Sequence, residues 1–398
     1  MQSFKKDFPI FDSNPGLIYL DSAATVQKPR HVIDGISQFF QTSYSNIHRG
    51  AYSLSEQSED LYFASKEKVA TMLLNCSADE IIYTYNATYA YNMLAQTLRY
   101  SGVLKAGDTV LVDIAEHHAN IVPWQMLSER HGILVERIDL DENYDYSIED
   151  FKKKYHDRVK VVSLSAASNV TWTKYDIAAI AAWLRPETFF IIDWSQAIPH
   201  GKIDVIGNRI DALIFTGHKI MADTGIWILY LAKRHIKSLK PARGGGGMIE
   251  DVDKVSFKLS SGWQKFEPGT PHIVWAVSLL KALEYIESIW WFDVIIAHEQ
   301  QLISYTLERF AQNKKLELFG KKSTDHRLWI FSFVIKWNTN NIKLWEKLAL
   351  ENICIRCGWH CTHPLFHELE KNGSCRLSTY IYTDISDLEK IFDAIEKI

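Results

Sequence analysis

The sequence predicts an α/β fold: a large domain with a mostly parallel sheet flanked by helices, then a smaller α+β C-terminal domain. Two observations carry this. Short apolar runs rich in Val, Ile and Phe alternate with helical patterns through the first two thirds of the chain. After Gly269-Thr270-Pro271 that alternation gives way to long helical stretches and isolated strands.

Taken in order, Ile18 to Asp21 precedes a helical stretch near 30–42 and a longer one from Ser55 to Leu74, with Leu61, Ala64, Val69 and Met72 among its apolar positions. Strand candidates follow at 81–84, 109–113, 159–163, 189–193, 213–215 and 225–231. Beyond Pro271 come helices near 272–288 and 293–312, a strand at 328–336, a helix near 341–350, the run 353–356 and a closing helix from Ile385. At 398 residues the chain exceeds the size at which one core stops growing, so we divide it into 1–284 and 285–398. About the first 15 residues are expected to pack with the smaller domain.

Net charge is only −4 with both signs interspersed, which argues against nucleic acid or an anionic membrane as the main partner and favours small molecules. The start has no apolar stretch of signal-peptide length, and no run of about 18 apolar residues occurs, so a cytoplasmic protein is expected. Five cysteines, an odd number with four between 354 and 375, agree with a reducing compartment.

Lys219 falls on the turn between the strands at 213–215 and 225–231, preceded by Thr216, Gly217 and His218. An amine there is placed to hold a cofactor aldehyde as a Schiff base, although an isolated loop lysine is usually just solvated. Asp193 ends the strand at 189–193 and reaches the same sheet edge, where a carboxylate keeps a pyridine nitrogen protonated. Alone, such an aspartate is usually a cap or turn former. Asn86-Ala87-Thr88 opens a helix whose free N–H groups suit a phosphate, and Thr216 and His218 flank the lysine; a simple N-terminal cap explains Thr88 equally well. His117 follows the strand at 109–113 and either stacks on a planar cofactor or belongs to a polar loop.

The last constellation is Arg356-Cys357-Gly358-Trp359-His360-Cys361-Thr362-His363, with Arg376 beyond. Cys361 between histidine and arginine suits a nucleophile, and Arg376 suits a bidentate clamp on a substrate carboxylate. The rival reading is a metal site made from Cys354, Cys357, Cys361, His360 and His363. Against it, Cys354 alternates with Ile353 and Ile355 as a buried strand position does, and no second CxxC is present.

Leu20 to Ala24, Asn46 to Gly50, Glu116 to Gln125, Ser168 to Val170, Gly217 to Lys219, Phe266 to Pro271 and Arg356 to Pro364 together resemble the cysteine desulfurases of the class V aminotransferase family, specifically the SufS-type group. Selenocysteine lyases share nearly all of these motifs, and an aminotransferase of the same fold is a further alternative. The resemblance implies a fold type I homodimer with pyridoxal 5'-phosphate on Lys219, His117 stacked on the ring, Asp193 at its nitrogen and Asn169 and Gln196 near its phenolic oxygen. It implies that Ala87, Thr88, Thr216 and His218 hold the phosphate, with Thr270 reaching over from the other subunit. Arg376, with Arg356, Asn169 and His48, would serve the substrate. Lys219 would move the Cα proton and Cys361 would take sulfur from L-cysteine for a sulfur-acceptor protein in iron-sulfur cluster assembly, with L-selenocysteine as the alternative substrate. No metal is expected.

The chain departs from the family pattern in one systematic way. Tryptophan stands where glycine is expected at 172, 194, 227, 275, 290 and 329, whereas Trp124 matches the family as tryptophan. An average usage of about 7% predicts about 28 glycines, and the chain has 19, with 13 tryptophans. Some bacterial lineages read UGA as glycine, and decoding such a gene with UGA as tryptophan produces both features. Milder departures are Ser195 in place of alanine, Thr216 in place of serine and Ala222-Asp223 in place of Gly-Pro.

Overall fold

The computed structural model describes residues 4–289, 291–336 and 341–397. Its main sheet has seven strands in the order 81–84, 227–231, 212–216, 189–193, 159–165, 109–113, 134–138. From 212–216 to 134–138 neighbouring strands are parallel, and Trp227–Leu231 runs antiparallel to both of its neighbours. Strands such as Phe189–Asp193 and Ala212–Thr216 are buried along their whole length, which is why they read as continuous apolar runs rather than alternating ones. Leu134–Ile138 escaped the sequence reading because it is the edge strand: Glu136 and Arg137 interrupt its apolar pattern, as charges on exposed sheet edges do.

Helices Arg30–Thr42 and Ser53–Lys68 pack on Ile273–Ser288. The stretch expected to be one helix to Leu74 is helical throughout, but its last turn, Val69–Leu74, widens to π geometry and stops at Asn75, which takes φ 55°. The division expected at 285 falls within the continuous helix Ile273–Ser288. In the C-terminal third, Leu316–Leu318, Ile330–Ile335, Ser374–Ser378 and Arg356–Gly358 form an antiparallel four-stranded sheet. The single run expected at 353–356 divides between two sheets: Ile353–Cys354 pairs in parallel with Ile18–Tyr19, and from Arg356 the chain joins the four-stranded sheet. The N-terminal segment also meets the C-terminal part of the chain. Lys5 pairs with Asp387 at 2.9 Å, Tyr285 donates to Asp7 at 2.8 Å, and Phe8 packs edge-on against Tyr382. Among the described residues no helix is long and apolar enough to cross a membrane.

One buried ion pair fixes the Phe266 to Pro271 motif. The Lys66 ammonium is fully buried and donates to Glu267 at 2.6 Å and to the Ile81 carbonyl at 3.0 Å. Glu267 also accepts from the Tyr62 hydroxyl at 2.5 Å and the Tyr83 amide at 2.6 Å. Burial lowers the Lys66 pKa to about 8 against the opposing pull of Glu267. Glu267→Gln leaves that ammonium without a counter-charge and is expected to cost about 3 kcal/mol, read as a lower urea midpoint. Lys66→Met combined with Glu267→Leu is expected to recover part of the loss.

Candidate active site

The carboxyl ends of the parallel strands open onto a cleft, the place where open α/β sheets bind small molecules. Asp193 ends its strand there, Thr216 ends the next, and Lys219 sits on the 3-10 turn Gly217–Lys219 that follows. His117, Ala87, Thr88, Asn169, Gln196, His218, Arg356, Cys361 and Arg376 line the same cleft. Thus twelve of the fourteen residues singled out from sequence converge; Thr270 and His48 do not. Thr270 is exposed beside a second cleft lined by Tyr85, Gly225, Pro271 and Trp275. His48 takes φ 78° and pairs with Glu59 at 3.2 Å, away from Lys219.

Burial lowers the Lys219 pKa to about 8, with Asp193 pulling it up and Arg376 and Arg356 pushing it down. An amine so poised changes charge close to neutrality, as a proton carrier must. Burial raises the Asp193 carboxyl, while hydrogen bonds from Ser195 and the Lys219 charge hold it down. A cationic ring nitrogen beside it would favour the ionised form. His117 accepts from the Ala119 amide through Nδ1 at 3.1 Å, and burial takes its pKa down to about 3. Its loop is anchored by Glu116, which accepts from Asn120 at 2.7 Å and from the Ser165 hydroxyl at 2.8 Å; Asn120 in turn accepts from the Trp124 indole at 3.1 Å. These bonds explain the spacing of the Glu116 to Trp124 motif, a role that spacing alone does not reveal.

At the far end of the cleft, helix Ala87–Tyr100 points its N-terminus inward. Asn86, not Thr88, supplies the cap, accepting from the Tyr89 amide at 2.6 Å, so the Thr88 hydroxyl stays exposed to the cleft. The Thr216 hydroxyl and His218 Nδ1 are buried with no partner among the described residues, as is the Gln196 Oε1 atom. A helix N-terminus, two unpaired side-chain groups, a lysine and a carboxylate suit the phosphate, aldehyde and ring nitrogen of pyridoxal phosphate. Trp227 intrudes on this arrangement: it lines the cleft and lies 5.1 Å from the His218 ring.

The opposite wall is cationic. Arg376 on strand Ser374–Ser378 is 3% exposed, its Nε has no partner among the described residues, and burial lowers its pKa to about 10. Arg356 stands opposite it across the strand pair. Asp21, which sequence reasoning did not single out, bridges them, accepting from Arg356 at 3.1 Å and lying 3.5 Å from Arg376. Cys361 is exposed in the loop between Arg356–Gly358 and helix His363–Glu368. The same strand pair sets Cys357 opposite Cys375 at a Cα separation of 4.0 Å, and the two are joined as a disulfide. That bond departs from the expectation of cysteines suited to a reducing compartment, and it arises because a cross-strand register invisible in the sequence makes the two neighbours. Among the described residues no group of three or more His, Cys, Asp or Glu is placed to hold a metal ion.

Because the His117 pKa lies near 3 in the folded chain, its imidazole is expected to stay neutral from pH 8 down to pH 5. Its NMR ring signals should therefore not titrate over that range, unlike those of exposed histidines.

The profile of the family described as Aminotransferase class-V matches residues 18–391. Similar sequences include the probable cysteine desulfurases of Streptomyces coelicolor, 33% identical over 100% of this chain and 96% of the relative, and Vibrio cholerae, 34% identical over 100% and 98%. Among solved structures, the apo cysteine desulfurase of Thermococcus onnurineus superposes with a TM-score of 0.93 at 28% identity, covering 100% of this chain and 98% of that one. The Escherichia coli cysteine desulfurase CsdA does so at 0.90 and 29%, covering 99% and 97%. With a lysine turn, an acidic strand end and a helix N-terminus set around one cleft, and a family profile spanning nearly its whole length, the chain belongs to the class-V aminotransferases.

Proposed function

We propose that the protein is a pyridoxal-phosphate-dependent cysteine desulfurase, converting L-cysteine to L-alanine and carrying the sulfur as a persulfide on Cys361. One juxtaposition carries the reading: the thiol of Cys361 shares a cleft with the Lys219 amine and the Arg376 guanidinium. An aminotransferase has no use for that thiol. The names of the similar proteins agree with it.

When bound, the cofactor supplies an aldehyde carbon for an amine and a ring that draws electrons from the substrate Cα. Lys219 would hold the aldehyde, Asp193 the ring nitrogen, His117 the ring face, Gln196 and Asn169 the ring oxygen, and Ala87, Thr88, Thr216 and His218 the phosphate. Arg376, whose Nε has no partner among the described residues, takes the substrate carboxylate, and Arg356 adds positive charge at its side. Lys219 moves the Cα proton. The Cys361 sulfur bonds to the substrate sulfur as the Cβ–S bond breaks, so one thiol and L-cysteine become one persulfide and L-alanine. We read the second copy of a homodimer as the source of Thr270, whose exposure and distance from its own cleft fit that role. An exposed Cys361 fits delivery to a separate acceptor protein for iron-sulfur assembly.

We also propose that Trp172, Trp194, Trp227, Trp275, Trp290 and Trp329 are glycine in the cell. Trp172 is fully buried at φ 61°, a backbone region that favours glycine. The indole N–H groups of Trp172, Trp227 and Trp329 are buried with no partner among the described residues, whereas that of Trp124 is satisfied by Asn120. Trp275 lies flat on His272 with ring centroids only 3.2 Å apart. Trp290 lies outside the described residues.

Lys219→Ala is expected to abolish the visible absorption of the protein with its cofactor. Cys361→Ala should lose nearly all alanine formation from L-cysteine while keeping much of it from L-selenocysteine; equal loss with both substrates, or pyruvate with no persulfide, overturns the desulfurase reading. UGG codons at 172, 194 and 227 overturn the glycine reading.

A further inference from the structure

The loop that carries Cys361 adopts a conformation that it does not favour by itself. His360 and Cys361 stand in succession at φ 48° and 58°, left-handed values that cost non-glycine residues about 1 kcal/mol or more each. Something outside the loop must hold it.

Two residues from the opposite side of the cleft do so. Asn169 uses both ends of its amide on the loop: Nδ2 donates to the His360 carbonyl at 2.6 Å, and Oδ1 accepts from the Thr362 hydroxyl at 3.0 Å. The His118 amide donates to the Cys361 carbonyl at 2.9 Å. Its ring then accepts through Nε2 from the His363 amide at 3.3 Å and lies 3.1 Å from His363 Nδ1. Trp359 stacks on the His363 ring, 4.6 Å away and 1° from parallel. The residues on either side of Cys361 and its own carbonyl are thus all tied across the cleft. Accepting from the His363 amide at Nε2 requires an uncharged His118, and burial with the neighbouring His363 lowers its pKa accordingly.

We propose that Thr362, through Asn169, and His118, through His363, are positioning residues that hold the strained Cys361 loop over the Lys219 cleft. Neither side chain needs to touch the reacting atoms. Thr362 is fully buried, and by donating to Asn169 Oδ1 its hydroxyl leaves Nδ2 to meet the His360 carbonyl. The value of this clamp to sulfur transfer rests on the desulfurase reading, but the clamp itself does not.

The test uses the full-length chain with the residues its codons specify. Thr362→Val keeps the shape and removes the hydroxyl; Thr362→Ser keeps the hydroxyl. In cofactor-free protein, Thr362→Val is expected to speed amide hydrogen exchange in 358–364 by about fivefold, the effect of losing one hydrogen bond, with the rest of the chain unchanged. His118→Ala should do the same. With cofactor, both should lower kcat for alanine release while leaving KM for L-cysteine unchanged, and Thr362→Ser should behave as the unsubstituted protein. Unchanged exchange in 358–364 under Thr362→Val, or a Thr362→Ser variant as affected as Thr362→Val, overturns the proposal. If exchange changes as expected while the unsubstituted protein releases no alanine from L-cysteine, the clamp stands and the desulfurase reading falls.

Discussion

The site depends on withholding water from one amine. Lys219 sits where a strand of the parallel set meets the reversed strand Trp227–Leu231, and the tight turn between them leaves its side chain in the floor of a cleft rather than at a surface. Desolvation disfavours the ammonium, and Asp193 on the adjacent strand keeps the displacement from going further. The same environment that tunes the lysine also buries His117 and His218 as neutral rings. Charge in the cleft is therefore concentrated on three kinds of group: a poised amine, an acidic strand end and a pair of arginines.

The arginines are held from an unexpected quarter. Asp21 comes from the beginning of the chain, and its carboxylate lies between Arg356 and Arg376 because Ile18–Tyr19 pairs with Ile353–Cys354. Like charges on neighbouring strands repel, and one shared carboxylate offsets part of that repulsion. Arg376 nevertheless keeps an Nε with no partner among the described residues, so the counter-ion settles the cluster without closing it.

Much of this was legible in the sequence, and the exceptions have physical causes. Buried parallel strands announce themselves as apolar runs, so Phe189–Asp193 and Ala212–Thr216 were found within a residue or so, and with them Asp193 and Lys219. The edge strand Leu134–Ile138 carries charge and was not. Neither the Cys357–Cys375 bond nor the Asp21 bridge follows from local pattern: the first depends on the register of two strands whose cysteines are 18 residues apart, the second on segments 355 residues apart. The hydroxyl of Thr362 was unremarked for the same reason: its partner, Asn169, is 193 residues away. The anomalous tryptophans were visible as misplaced residues, but that the indole groups of Trp172, Trp227 and Trp329 lack partners among the described residues required the packed chain.

The pairing of the first strand with the last third of the chain has a consequence in time. The Ser378 amide donates to the Leu20 carbonyl, and the Arg376 to Asp21 contact spans 355 residues. Contacts of such sequence separation close late, after the local ones that reward their entropy cost. During synthesis the lysine pocket has all of its strands by Leu231, while the carboxylate clamp and the sulfur-carrying loop wait for the final segment to emerge. A nascent chain can thus have a place for a cofactor long before it can hold a substrate, and the reactive thiol meets its partners only in a finished molecule.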